Sequence, residues 1–191
     1  MLGVAVSTIF NNNNRPPVVS DTFTRADSAV TMGNAETGQL WTPFIGTWGI
    51  SGGKAYVTSN AGSVLTVVES GISDGKLSVL ATWWQNTCLV FRCVDVNNFL
   101  ILQLTNGTSI VLQKYVNGVW TILAQSTFAE VGGLSYHMCV VLNGSNIDAY
   151  VDGVKIFTVT ESFNKLVTKH GLRLSSSDAL SSFDNFIVEV N

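Results

Sequence analysis

Charged side chains are scarce in this sequence. They make up 12% of its 191 residues, about half the share usual in soluble proteins. The 10 Lys and Arg residues are scattered along the chain, and the formal net charge is −3. The sequence therefore has no basic patch of the kind that binds nucleic acid. Its low charge also predicts that part of the protein surface is covered by another molecule.

Long apolar runs and closely spaced cysteines are missing as well. No apolar run reaches the roughly 18 residues of a membrane-spanning helix, and the apolar residues 1–10 lack the features of a signal peptide. We expect no membrane insertion. Cys88, Cys93 and Cys139 are an odd number, spaced unlike a disulfide framework or a zinc site. We expect buried, reduced thiols, with Cys88 and Cys93 on opposite faces of one strand.

Tight-turn signals between apolar strands are what the sequence has in abundance. Asn117-Gly118 and Asp152-Gly153 are typical of two-residue hairpin turns, because both positions require positive φ. Around Asp152-Gly153, residues 147–160 alternate between apolar and polar, which predicts a hairpin with one buried face. Such signals recur about every 8 to 12 residues, and no stretch predicts a long helix. The pattern predicts an all-β sandwich or barrel.

Several of the predicted strands are apolar on both faces, among them residues 77–84, LSVLATWW, and residues 99–104, FLILQL. A strand in the middle of a two-sheet sandwich has this character when a further layer covers its outer face. A subunit interface on the outer sheet is the alternative explanation, and we expect a homo-oligomer.

The chain divides into an arm and a body. Residues 1–10, MLGVAVSTIF, are apolar, and the following NNNNRPP behaves as a spacer, so we assign residues 1–17 to an extended N-terminal arm and residues 18–191 to one domain. We predict that the arm binds a partner protein by adding a strand or by filling a groove. The apolar residues predicted to make this contact are Leu2, Val4, Val6, Ile9 and Phe10.

Several segments, in this order, resemble the concanavalin A-like (laminin-G-like) jelly-roll modules of bacteriophage structural proteins and bacterial surface proteins. They are DTFTRADS at 21–28, MGNAETGQLWTPFIGTWGISGGKAYV at 32–57, LVFRCVDVNNFLILQL at 89–104, IDAYVDGVKIFTV at 147–159, KHGLRL at 169–174 and FDNFIVEV at 183–190. The resemblance implies an all-β, two-sheet antiparallel jelly-roll sandwich whose first and last strands pair side by side. This fold serves lectins, hydrolases and structural proteins.

No catalytic motif is complete in the sequence. Gly49–Gly53 matches G-x-S-x-G, but a strand follows it at once, so we interpret it as a hairpin turn. His137 and His170 have no acidic cluster nearby. Jelly-roll hydrolases commonly carry Glu-x-Asp-x-x-Glu on one strand, and none of the five glutamates stands in that pattern. We therefore predict that the protein is not an enzyme.

Two aspartates flank the strands that the resemblance pairs. Asp21 precedes the first body strand and Asp184 precedes the last, and modules of this family often hold a structural calcium in that region. A calcium ion needs six to eight oxygen ligands, which backbone carbonyls and Asn185 would complete. A role as turn or cap residues is the alternative for both aspartates. We predict no other cofactor.

Aromatic side chains are the remaining candidates for ligand binding. An exposed ring can stack on the apolar face of a sugar. We predict Trp83, Trp84, Trp120 and Tyr150 as candidate glycan-binding residues. Because Trp83 and Trp84 are adjacent, one of them must point away from the core. Packing under a loop or against a neighbouring subunit is the alternative.

Two functions follow from these observations. The first is a non-enzymatic bacteriophage virion protein, a capsid decoration or tail accessory made in the host cytoplasm and anchored to other virion proteins by its arm. The alternative is a carbohydrate-binding module that recognises host-surface glycans.

Overall fold

The computed structural model describes residues 15–59, 62–106, 108–174 and 180–191, which form fifteen β-strands and no α-helix. The strands are β1 (Val19–Asp21), β2 (Thr42–Ile45), β3 (Thr47–Ser51), β4 (Lys54–Ser59), β5 (Val64–Glu69), β6 (Gly75–Thr82), β7 (Thr87–Asp95), β8 (Asn98–Leu104), β9 (Ser109–Val116), β10 (Val119–Thr127), β11 (Ser135–Asn143), β12 (Asn146–Val151), β13 (Val154–Thr160), β14 (Lys169–Leu174) and β15 (Ser182–Glu189). No helix in these ranges is long and apolar enough to cross a membrane.

The strands form two antiparallel sheets. Sheet I has the order β13-β12-β11-β6-β15-β4-β3, with β1 pairing on β15, and sheet II has the order β10-β9-β8-β7-β14-β5-β2. In the β1–β15 pair, Val19 lies opposite Val188 and Asp21 opposite Phe186. The predicted two-sheet sandwich and the side-by-side pairing of its first and last strands are both confirmed.

The predicted hairpin turns set the strand register. At the β9–β10 turn, Asn117 and Gly118 have φ values of 48° and 91°, and at the β12–β13 turn, Asp152 and Gly153 have 49° and 78°. Positive φ at both central residues matches the right-handed twist of the flanking strands. Residues 147, 149 and 151 of β12 are buried, which confirms the predicted inward face.

The main core lies between the sheets and contains large aromatic rings. Trp41 packs edge-on against Phe186 with ring centroids 5.0 Å apart, and Trp48 packs against Phe183 at 6.0 Å. In β8 the alternate residues Leu100, Leu102 and Leu104 point into this core. Burial of this apolar area is the main source of stability of the sandwich.

A second apolar cluster lies on the outer face of sheet II. It consists of Leu65, Val67, Cys88, Val90, Cys93, Phe99 and Ile101, with Phe44 and Tyr115 packed against it. It explains why residues 99–104 are apolar on both faces: Phe99 and Ile101 belong to the outer cluster, whereas Leu100, Leu102 and Leu104 belong to the core.

The three cysteines are buried thiols, as predicted. Burial raises the pKa of Cys93 to about 12 and that of Cys139 to about 11, which keeps these thiols protonated. The prediction that Cys88 and Cys93 face opposite ways is wrong, because both lie in the outer cluster. A register shift between Phe91 and Asp95, where Arg92 has a φ of 51°, reverses the alternation.

Candidate functional site

Three aromatic rings form a ladder across sheet II. Trp120 of β10 is paired with Tyr115 of β9, and Tyr115 is paired with Phe99 of β8. The ring centroids are 4.6 Å apart for Tyr115 and Trp120, and 5.4 Å apart for Phe99 and Tyr115. Directly opposed residues of neighbouring strands share one face of the sheet. The ladder therefore lies on the outer face, with Phe99 in the apolar cluster at its base.

Arg173 extends over this ladder from the centre of the sheet. Its strand, β14, places it opposite Leu65 on one side and Cys88 on the other, and both of these belong to the outer cluster. The guanidinium carbon lies 5.1 Å from the Trp120 ring centroid and 5.8 Å from that of Phe99. A cation at this distance from an aromatic ring is attracted to it, which fixes the orientation of the guanidinium.

Two hollows adjoin this arginine. One has a volume of about 270 Å³ and extends from Ile45 to Phe99 and Tyr115, and the other has a volume of about 360 Å³ and reaches Gln113. Ser63, Trp120 and Arg173 line both hollows. We call this combined depression the aromatic groove; its aromatic and polar lining includes Ser63, Asn86, Phe99, Gln103, Gln113, Tyr115, Trp120 and Arg173.

Side-chain amides also line the aromatic groove. Gln113 Nε2 donates a hydrogen bond to Gln103 Oε1 at 2.6 Å, and Gln103 Nε2 donates to Asn86 Oδ1 at 2.9 Å. The amides are thereby held in place across β9, β8 and the segment before β7. Such groups offer both donors and acceptors to the hydroxyl groups of a ligand.

The chemistry of the groove follows from these groups. Among the described residues, its lining contains aromatic rings, amides, a hydroxyl and a guanidinium, and it contains no Asp or Glu. Rings of this kind stack on apolar faces, and the polar groups fix the orientation of what is stacked.

The structure brings only Trp120 of the four predicted glycan-binding residues into the groove, where it is 40% exposed. Trp83 is 9% exposed and belongs to the core between the sheets, so its ring offers little surface to a sugar. Trp84 is 43% exposed and lies over Gly132 and Gly133, away from the groove. Tyr150 lies on sheet I.

The sequence interpretation missed Phe99, Tyr115 and Arg173. A signal for Tyr115 was present, because residues 115 and 120 are placed symmetrically about the Asn117-Gly118 turn. Directly opposed residues of a hairpin lie side by side. No local pattern marked Arg173, because β14 joins the site only through pairing with strands distant in sequence.

The structure places the side chains of Asp21 and Asp184, the two predicted calcium ligands, in different surroundings. Asp21 is fully buried, and its carboxylate accepts hydrogen bonds from both terminal nitrogens of Arg25 at 2.7 and 3.0 Å, from Trp41 Nε1 at 2.7 Å and from the Phe23 amide at 2.8 Å. With a guanidinium already bound to both oxygens, the carboxylate does not fit a role as a calcium ligand.

Asp184 lies on β15, two residues before Phe186, the residue opposite Asp21. It follows the core residue Phe183, so the alternation of β15 turns it to the outer face of sheet I, where it accepts a hydrogen bond from the Asn185 amide at 2.7 Å. Among the described residues, no group of three or more His, Cys, Asp or Glu side chains is placed to hold a metal ion.

Neither histidine belongs to the aromatic groove. His137 is exposed on β11, whereas His170 of β14 is fully buried. His170 Nδ1 accepts a hydrogen bond from the Arg92 amide at 3.3 Å, and Nε2 lies 3.1 Å from the Ile72 carbonyl, to which it donates. Burial lowers the pKa of His170 to about 4, so the imidazole is neutral at pH 7.

Two further predictions concern other parts of the chain. Gly49–Gly53 is a hairpin turn, as predicted, because β3 ends at Ser51 and β4 begins at Lys54. The predicted partner-binding residues Leu2, Val4, Val6, Ile9 and Phe10 lie outside the described residues.

No protein-family model matches the chain, and no curated protein sequence matches it. Several solved structures are similar to the chain in fold. The carbohydrate-binding module CBM66 from Bacillus subtilis aligns with a TM-score of 0.65 and 21% identity, covering 78% of this chain and 94% of that one. A laminarinase from Rhodothermus marinus aligns at 0.63 and 9% identity, covering 91% and 96%. A β-glucanase from Bacillus licheniformis aligns at 0.58 and 13% identity, covering 90% and 97%.

These likenesses show the fold, which is a concanavalin A-like jelly roll. They also contradict the prediction that the protein is not an enzyme. Many of the similar structures are endo-glucanases or laminarinases, so this fold is consistent with a glycoside hydrolase. The missing Glu-x-Asp-x-x-Glu pattern was too narrow a criterion for that prediction.

Proposed function

We propose that the protein binds carbohydrate chains in the aromatic groove. The observation that carries the proposal is the Tyr115–Trp120 pair, with centroids 4.6 Å apart, in a groove that is also lined by hydrogen-bonded amides. A pyranose ring has an apolar face that stacks on aromatic rings and a rim of hydroxyls that needs hydrogen-bonding partners. The groove offers both. The similar structures, a carbohydrate-binding module and glucanases among them, support this proposal.

The dimensions of the groove support a short stretch of chain as the ligand. The larger hollow, of about 360 Å³, lies at the lower end of the range of ligand pockets, roughly 300 to 1,000 Å³, and the smaller, of about 270 Å³, lies just below it. They share Trp120, so a chain that passes from one hollow to the other crosses this ring. Trp120 therefore contributes to affinity along the whole groove.

Affinity measurements on a tryptophan pair test the proposal. Trp120→Ala removes a ring of the groove, and Trp84→Ala removes a ring of nearly equal exposure elsewhere, 43% against 40%. Calorimetric titration with a panel of β-glucan, levan, galactan and uronate oligosaccharides identifies a ligand for the unaltered protein. Trp120→Ala is expected to weaken its binding about tenfold, and Trp84→Ala to leave it unchanged.

Two outcomes of the titrations would contradict the proposal. No binding by the unaltered protein to any sugar of the panel, or equal losses in the two variants, would contradict a glycan site in the groove. Release of new reducing ends during the titration would reveal hydrolysis of the bound chain.

The virion role stays a prediction from the sequence. It rests on the resemblance and on the apolar arm, whose residues 1–14 lie outside the described ranges. We propose the arm as the attachment to virion proteins, and particle incorporation of a chain lacking residues 1–17 tests it. Normal incorporation would refute the attachment.

A further inference from the structure

Arg173 differs from Arg25 and Arg92 in having no acidic partner among the described residues. Arg25 pairs with Asp21 at 2.7 Å, and Arg92 approaches Asp74 at 3.5 Å. No carboxylate of the described residues forms an ion pair with Arg173, although this side chain is only 7% exposed. Buried arginines are almost always paired, because a guanidinium removed from water needs a compensating charge.

The contacts of Arg173 leave much of its hydrogen-bonding capacity unused. Nη2 donates to Ser63 Oγ at 2.9 Å, and Nη1 lies 3.9 Å from Cys88 Sγ, a weak acceptor. Both acceptors are neutral. The ring of Trp120, 5.1 Å away, holds the guanidinium but accepts no strong hydrogen bond from its edge. The remaining N–H groups are available to a ligand in the groove.

The charge of Arg173 is also isolated within the groove. Among the described residues that line the two hollows, it is the only charged side chain. The protein as a whole has a net charge of −3, so general electrostatics does not favour anions. Within the described lining, the electrostatic attraction for an anion therefore comes from Arg173.

We infer that the aromatic groove selects sugars that carry an anionic group, a carboxylate or a sulfate, and that Arg173 binds this group. The inference rests on the proposed function and specifies its ligand class. Stacking on Tyr115 and Trp120 positions the sugar ring, and the planar fork of the guanidinium accommodates the two oxygens of a carboxylate or sulfate. The ligand thus supplies a counter-charge that the described residues do not.

Matched ligands test the inference on the unaltered protein. The carboxylate probe is a galacturonate oligosaccharide, and its neutral counterparts are the methyl ester and the carboxyl-reduced form. The sulfate probe is a sulfated galactan oligosaccharide, compared with its desulfated form. We expect at least one anionic probe to bind about tenfold or more tightly than its neutral counterpart. We expect this advantage to shrink as the salt concentration rises.

Arginine variants assign the selectivity to one side chain. Arg173→Gln is expected to remove the preference for the anionic probe and to leave the affinity for neutral sugars within about twofold. Arg173→Lys is expected to retain part of the preference, because lysine keeps the positive charge but lacks the planar guanidinium. Lys155→Gln, a charge removed from the exposed side of sheet I, is the control and should change neither affinity. Thermal unfolding shows whether each variant is folded, and the ligand comparison above needs no variant.

The outcomes separate the two proposals. If neutral and anionic probes bind alike and Trp120→Ala weakens both, the groove binds glycans and the anion selectivity is wrong. If anionic probes are preferred but Lys155→Gln reduces the preference as much as Arg173→Gln does, the assignment to Arg173 is wrong. If no probe binds, the proposed function itself is wrong.

Discussion

Acidification is expected to destabilise the protein through His170. The imidazole is fully buried between β14 and the loop at Ile72, and its pKa falls from the ordinary 6.5 to about 4, first because burial disfavours the cation and further because the Arg92 charge opposes it. The hydrogen bond to the Ile72 carbonyl and the charge of Glu69 act in the opposite direction. Protonation of Nδ1 would also remove the acceptor of the Arg92 amide.

The loss of stability on acidification follows from the difference between the ordinary histidine pKa of 6.5 and the pKa of about 4 in the folded protein. Between pH 6.5 and about pH 4 the unfolded chain binds a proton at this position and the folded chain does not. The stability contribution is therefore complete above pH 6.5 and is lost as the pH falls through this window. The free energy of unfolding should drop by about 2 kcal/mol at about pH 5 and by about 3 kcal/mol near pH 4 from this group alone.

Urea denaturation, followed by tryptophan fluorescence at a series of pH values, measures this contribution. His170→Gln is expected to be less stable at pH 7 and to show a flatter pH profile than the unaltered protein. The matched control is His137→Gln, which replaces the other, exposed histidine of the chain and should leave the profile as it was. Parallel profiles for the unaltered protein and His170→Gln below pH 6.5 would refute the reasoning.

Other substitutions and a metal titration probe the framework. Asp21→Ala leaves the buried Trp41 indole without its acceptor and should lower the free energy of unfolding by about 3 to 5 kcal/mol. Asp148→Ala removes an exposed ion pair and should change the free energy of unfolding little. Equal urea midpoints for the two variants would contradict this difference. Gly171→Ala would place a methyl carbon 2.0 Å from the Thr66 carbonyl oxygen, and we expect a loss of about 1 to 3 kcal/mol; an unchanged midpoint would show that the strands can separate. Thermal unfolding should give the same midpoint in excess calcium and in EDTA, and a rise with calcium concentration would reveal a site.

Much of the fold could be predicted from the sequence because its signals are local. The turn pairs Asn117-Gly118 and Asp152-Gly153 require positive φ at both residues, so they set the register of their hairpins without reference to the rest of the chain. The face of the sheet on which each β7 side chain lies could not be predicted, because the register shift near Arg92 carries no distinctive residue. A single bulge was enough to place Cys88 and Cys93 on the same face.

The candidate site was predictable only where it depends on one hairpin. Tyr115 and Trp120 are neighbours across a turn, so their proximity was implicit in the sequence. Arg173 reaches Trp120 across several strands, and this requires the full order of sheet II. The apolar character of β8 on both faces also concealed which of its side chains, Phe99 among them, would face outward.

The pairing of β1 with β15 has a consequence for how this body is attached to other structures. The Val18 amide donates to the Val188 carbonyl at 2.8 Å, so the backbone arrives at the sandwich and departs from it at neighbouring points. A short peptide from residue 191 to residue 15 would close the chain into a ring, and new ends could be opened at the Asn117-Gly118 turn without cutting a strand. The same geometry would allow the sandwich to be inserted as a domain into a surface loop of another protein, with both junctions on one side of the sandwich.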